Sequence, residues 1–165
     1  MAQPYSARSR AIEPFHVMAL LARANELQAE GHDVIHLEIG EPDFTTAEPI
    51  IQAGHAALTA GKTRYTAARG IPELREAISG FYQSRYGLNI DPRRILITPG
   101  GSGALLLASA LLVDPGKHWL LADPGYPCNR HFLRLVEGAA QLVPVGPEVR
   151  YQLTPDLVER HWDHD

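Results

Sequence analysis

The residues best placed to do chemistry are Gly101, Ser102 and Gly103. They lie between a short β-branched run, Ile95–Thr98, and the apolar stretch Ala104–Val113. Pro99 and Gly100 end the first run, since proline cannot donate to a ladder and glycine bends freely. A strand, a turn of small residues and a helix together present free backbone N–H groups at a helix N-terminus, where an anion, usually phosphate, can bind. A close-packed strand-to-helix turn with no ligand has the same composition, and residues 95–113 alone leave both readings open. No Lys-Ser or Lys-Thr follows the glycines, so the turn is not a P-loop. Gly101-x-Gly103, with Asp123 further along, partly matches a dinucleotide fingerprint, but Leu106 occupies the third glycine position.

Tyr126 is the next candidate. It is the first large side chain after Asp123-Pro124-Gly125, and a flat ring beside a phosphate cup can stack on a heteroaromatic ligand. Its alternative role is to pack the start of a helix. Cys128 has no assignable His–Asp partner and reads as a small core residue rather than a nucleophile. The eight histidines are dispersed; His161 and His164 share a helical face, but no His-Glu-x-x-His occurs and no metal is expected.

The elements that must position these residues follow from periodicity. From Pro14 onward Val17, Leu20, Leu21, Ala24 and Leu27 make a helical stripe that Gly31 can close. Val34–Ile39 reads as a short strand, broken by the turn-forming Gly40-Glu41-Pro42-Asp43-Phe44. A helix from Thr46 or Glu48 to Ala60 precedes the polar loop Lys62–Thr66. Another starts at Pro72, carries Leu74, Ile78, Phe81 and Tyr82, and ends at Gly87. After Asp91-Pro92 strands and helices alternate. Strands are expected at Ile95–Thr98, Trp119–Ala122 and Gln141–Val145, with a buried helix 101–113 that Ser102 caps. A helix follows from Tyr126 or Cys128 to about Val136, and another begins near Leu153. This order predicts an α/β fold with a parallel sheet and ligands at the strand C-terminal ends.

Composition narrows the function classes. At 165 residues with 45% hydrophobic and 21% charged, the chain is globular in composition and about one domain long. A net charge of -4 offers no basic footprint for nucleic acid or anionic membrane. The longest apolar run is too short to span a bilayer, and the N-terminus lacks a signal-peptide core. One cysteine excludes an internal disulfide and fits a reducing compartment, so a cytoplasmic location is expected.

Five segments in order carry a resemblance: Ile39-Gly40-Glu41-Pro42-Asp43-Phe44, Lys62-Thr63-Arg64-Tyr65, Gly70-Ile71-Pro72-Glu73-Leu74-Arg75, Thr98–Ala104 and Asp123-Pro124-Gly125-Tyr126-Pro127. Together they resemble the N-terminal part of class I/II aminotransferases, pyridoxal-phosphate enzymes of fold type I. The resemblance runs from about Pro14 through most of the chain. It implies that Gly101, Ser102 and Gly103 hold the phosphate of pyridoxal 5′-phosphate and that Tyr126 stacks on its ring. It implies that Tyr65 reaches the cofactor phosphate of the neighbouring subunit in a homodimer, and that Gly40 helps bind the substrate carboxylate. The N-terminal arm resembles the segment that lies over the dimer partner and closes on substrate.

The same resemblance implies domains at 1–90 (arm and part of the small domain) and 91–165 (first part of the large cofactor-binding domain). The family's Schiff-base lysine, pyridine-nitrogen aspartate and carboxylate-binding arginine fall beyond the matched motifs. Lys62 and Lys117 match none of them, so no catalytic residue is assigned. The expected reading is an N-terminal fragment of an enzyme that moves an amino group between an amino acid and a 2-oxo acid, inactive alone. The alternatives are a pyridoxal-phosphate lyase of the same fold, a nicotinamide-dinucleotide oxidoreductase fragment built on Gly101-x-Gly103 and Asp123, or a remnant without catalysis.

Overall fold

The computed structural model describes residues 5–162. Of the readings above, the first four residues of the arm and His164 lie outside them. The element order is α1 (Ala7–Arg10), α2 (His16–Ala29), α3 (Glu48–Thr59), α4 (Pro72–Tyr86), α5 (Gly100–Leu112), β1 (His118–Asp123), α6 (Cys128–Leu135), β2 (Ala139–Pro144) and α7 (Pro155–His161). Short 3₁₀ turns occupy Pro92–Arg94 and Pro147–Val149. No described helix is long and apolar enough to cross a membrane. The chain divides into two compact units, one taking residues through Ile39 and from Gly101 onward, the other Gly40–Gly100.

The first unit is built on β1 and β2, which pair in parallel with His118 opposite Ala139 and Asp123 opposite Pro144. Parallel neighbours need a crossover, and α6 supplies it. Leu133 of α6 and Val143 of β2 are fully buried, joined by Val113 and Val145. Gly138 sits at the entry to β2, and a Cβ there would lie 2.6 Å from Val113 Cγ1, so only glycine lets the α6–β2 turn close on this core. Buried Ser109 donates its hydroxyl to Leu105 O at 2.8 Å, which removes the cost of an unpaired polar group. Thr154 caps α7 by accepting from Leu157 N–H at 3.3 Å.

The second unit holds α3 and α4. Gly87 closes α4 in the left-handed conformation (φ 68°). Donors from α4 and the loop before it satisfy carbonyls of the following segment: Ser79 Oγ to Ile90 O (2.5 Å), Arg75 Nη1 to Pro92 O (3.2 Å) and Arg69 Nη1 to Arg93 O (2.8 Å). Gly70 has φ +92° and a Cβ there would collide with Ile97, so this turn requires glycine twice over.

Four expectations are corrected. Ile95–Thr98 is extended chain, not a strand: Ile97 N–H donates to Arg69 O at 3.1 Å, and no strand among the described residues lies alongside it. Val34–Ile39 also lacks a ladder, and Ile35 and Leu37 are exposed. In both, β-branched sequence is present but a partner edge is not, and strands exist only in pairs. Helix 101–113 is not buried. Two strands cover only a narrow strip, so Ser109 and Val113 reach the core while Leu111 and Leu112 face solvent. Ser102 is not the N-cap: the helix begins at Gly100, whose N–H donates to Thr98 O at 2.8 Å, and Ser102 lies inside the first turn.

Candidate functional site

Gly101, Ser102 and Gly103 form the first turn of α5. A helix leaves its first N–H groups without intrahelical partners and concentrates partial positive charge there. Gly100 enters with φ +73°, and Thr98 Oγ1 donates to Gly100 O at 2.9 Å, which pins the chain as it turns into the helix. A Cβ at Gly101 would meet nothing within 4 Å, and Gly101 and Ser102 are exposed while Gly103 is half-buried.

Tyr126 stands in the turn between β1 and α6 and is 55% exposed as a residue. Leu121–Asp123, Gly125, Tyr126, Pro127, Asn129, Arg130 and Leu142 line a cavity of about 180 Å³ at the C-terminal ends of the strands. That is the end where ligands of open parallel sheets bind. Gly101, Ser102 and Gly103 do not line this cavity, although they share a unit with Tyr126. The Tyr126 ring meets Phe15 edge-on, with centroids 6.1 Å apart and planes at 69°. The Cys128 thiol, by hydrogen bonding and by its charge when ionised, holds the Tyr126 phenol above its usual pKa.

Tyr65 and Gly40 belong to the other unit. Tyr65 is fully exposed in the loop after α3, between Arg64 and Thr66. Gly40 has open space around its Cα. His161 Nδ1 lies 2.8 Å from Leu157 O, so this histidine is engaged by its own helix. Cys128 is half-buried beside Tyr126 rather than in the core.

Reading the sequence missed Phe15, Asn129 and Arg130, which surround Tyr126. Asn129 Oδ1 is buried without a hydrogen-bond partner, and Arg130 pairs with Glu13 at 3.4 Å. The spacing of Tyr126, Asn129 and Arg130 (i, i+3, i+4) marks one side of a helix start and could have placed them together. Phe15 had no such signal, because its contact spans most of the chain.

The donor set suits a phosphorylated aromatic. Helix N-termini with small residues are in general anion sites, and exposed aromatics are in general platforms for flat rings. The dinucleotide alternative needs a strand leading into Gly101, and the extended segment 95–98 does not supply it.

Comparison with known proteins agrees with the phosphorylated-aromatic reading. The sequence profile described as aminotransferase class I and II matches residues 32–164. A (5-formylfuran-3-yl)methyl phosphate transaminase of Methanocaldococcus jannaschii is 48% identical over 124 residues, 75% of this chain and 34% of that protein. A valine–pyruvate aminotransferase of Mycobacterium tuberculosis is 38% identical over 147 residues, 89% of this chain and 38% of its own. The crystal structure of an aminotransferase from Mycobacterium tuberculosis superposes with a TM-score of 0.92 at 36% identity, covering 99% of this chain and 42% of that one. The chain thus spans about two-fifths or less of the length of these relatives.

Proposed function

This chain belongs to the class I and II aminotransferases, and we propose that it supplies the phosphate cup and ring platform of an enzyme that transfers an amino group between an amino acid and a 2-oxo acid. The observation that carries the reading is the first turn of α5, formed by Gly101, Ser102 and Gly103 with Gly101 and Ser102 exposed, within a chain matched to this family along most of its length. The family's cofactor is pyridoxal 5′-phosphate. When bound, it supplies a pyridinium ring that accepts the electron pair released at the substrate α-carbon.

This chain's own residues bind and orient. Backbone N–H groups of Gly101–Gly103 and the Ser102 hydroxyl hold the phosphate, with the helix dipole adding to the attraction. Tyr126 carries one face of the ring and limits its tilt. Gly40 offers backbone to the substrate carboxylate. Tyr65 reaches the phosphate of a second copy, which makes the site a property of a homodimer. In this reading residues 1–90 contribute the arm and part of the small domain, 91–165 begin the cofactor domain, and the protein works in the cytoplasm. The relatives' names span different amino-group donors and acceptors, so membership alone does not choose the substrate.

The chain does not supply the amine that holds the cofactor aldehyde. Lys117 precedes β1 at its N-terminal end; six strand residues rising about 3.3 Å each put it about 20 Å from Asp123 and the ligand end of the sheet. Lys62 lies in the turn that Gly61 makes after α3. Equilibrium dialysis of the chain against pyridoxal 5′-phosphate and against pyridoxal tests the cup. The phosphate ester is expected to bind more tightly, and Ser102→Asp to abolish the difference. Aspartate in a first helical turn favours the helix while repelling phosphate, so loss of binding would not mean loss of fold. Borohydride reduction followed by peptide mapping should give no single, stoichiometrically labelled lysine. Equal affinity for the two ligands would overturn the cup; stoichiometric labelling at Lys62 or Lys117 would show the catalytic amine to be misplaced.

A further inference from the structure

The segment before α2 is tied across α6 at three points. Arg8 Nη1 lies 3.0 Å from Glu137 Oε1, Glu13 Oε2 lies 3.4 Å from Arg130 Nη2, and Phe15 meets Tyr126 edge-on. We propose that Phe15 is a positioning residue for Tyr126, held in place by a strap of residues 8–15 that the two ion pairs close onto α6 and the turn after it.

The contact is placed to do this. Tyr126 sits in a turn outside the helix, and the residue is more than half exposed. The Cys128 thiol hydrogen-bonds its phenol and cavity residues line one side, but a side chain this exposed is only partly held among its staggered χ1 states. An edge-on partner selects the orientation that lays the ring's electron-rich face along the partner's edge, shifting the rotamer balance by roughly 2- to 10-fold. Phe15 is only half-buried and stands one residue before α2, so it cannot hold its own position by core packing. The ion pairs on its N-terminal side do that. Glu137 is a firm anchor: its N–H donates to Arg134 O (3.2 Å) and its carbonyl accepts from Gly116 N–H (2.8 Å). Arg130 comes from the second half-turn of the helix that Tyr126 precedes, so strap and platform share one rigid support. Both pairs are solvent-exposed, so each is individually weak and screened by salt, and the strap releases readily.

The inference rests on Tyr126 being the ring platform, and the two can fail separately. The test uses the whole chain with ¹³C-labelled tyrosine rings, the Tyr126 signals assigned by their disappearance in Tyr126→Phe. Phe15→Leu keeps apolar bulk and removes the ring; Phe15→Tyr restores a ring. The expected result is that Phe15→Leu moves the Tyr126 signals, that Phe15→Tyr returns them, and that Glu13→Gln with Glu137→Gln moves them partway, as does about 0.5 M salt. Leu133 methyl signals report whether the core is intact. Affinity for pyridoxal 5′-phosphate should fall roughly 2- to 10-fold in Phe15→Leu and recover in Phe15→Tyr. Tyr126 signals indifferent to Phe15→Leu would overturn the inference. So would unchanged affinity in Phe15→Leu when Tyr126→Ala weakens binding. If Tyr126→Ala leaves affinity unchanged, the platform reading fails instead, and the ring signals alone decide the strap.

Discussion

Replacing Gly138 with alanine should destabilise the first unit through one steric contact, and that contact can be removed from the other side. The added Cβ would stand 2.6 Å from Val113 Cγ1, about 1 Å inside an ordinary carbon–carbon separation. Lys117 O at 3.4 Å and Leu133 O at 3.5 Å close off retreat. Val113 is 7% exposed and β-branched, so its methyl has little room to rotate away. Gly138 does not need positive φ, so backbone strain adds nothing. Overpacking of this kind costs about 1–3 kcal/mol. Val113→Ala alone loses two methyl groups at about 0.8 kcal/mol each, plus a cavity term. If the clash is the whole cause, the double variant should be no less stable than Val113→Ala alone, which makes the coupling as large as the Gly138→Ala cost. Urea unfolding followed by fluorescence, with Trp119 in β1 as reporter, resolves this. A loss of 2 kcal/mol moves the midpoint by roughly 1 M for a chain of this size. Additive losses, or a Gly138→Ala midpoint within error of the parent, would show that the α6–β2 turn does not close on Val113 as described.

Gly70→Ala combines forced φ > 0 with a collision at Ile97, and should cost more than the roughly 1 kcal/mol of an ordinary left-handed alanine; hydrogen exchange at Ile97 N–H, bonded to Arg69 O, is the local readout and should accelerate. The Asp91 carboxyl is lowered from 3.8 to about 2, first by hydrogen bonds from the Arg93 side chain and then by the Arg93 N–H. Because the folded value is depressed, its contribution is present above pH 3.8 and disappears as pH falls through 2. A carboxyl carbon NMR titration should therefore show a midpoint near 2 that Arg93→Ala returns toward 3.8, and an unmoved midpoint would refute the pairing.

The local elements were legible in the residues. Pro72 and Gly87 mark both ends of α4, the apolar runs around Trp119 and Leu142 fall in β1 and β2, and Gly101–Gly103 lie in the opening turn of α5. Propensity, periodicity and turn chemistry act over a few residues, so they are written where they operate. The ordered motifs also named the family, because five short segments in sequence constrain ancestry more tightly than any one of them constrains geometry. Tertiary structure decided the rest. Ile95–Thr98 has the composition of a strand, yet becomes one only if another edge completes its hydrogen bonds, and no residue within it encodes that partner. The leucines of α5 are apolar in any setting, but what covers them depends on the breadth of the sheet. Phe15 and Tyr126 meet although they stand 111 positions apart in the chain, beside a segment held by exposed ion pairs. Such contacts arise from where compact elements come to rest, and one-dimensional spacing carries no record of it.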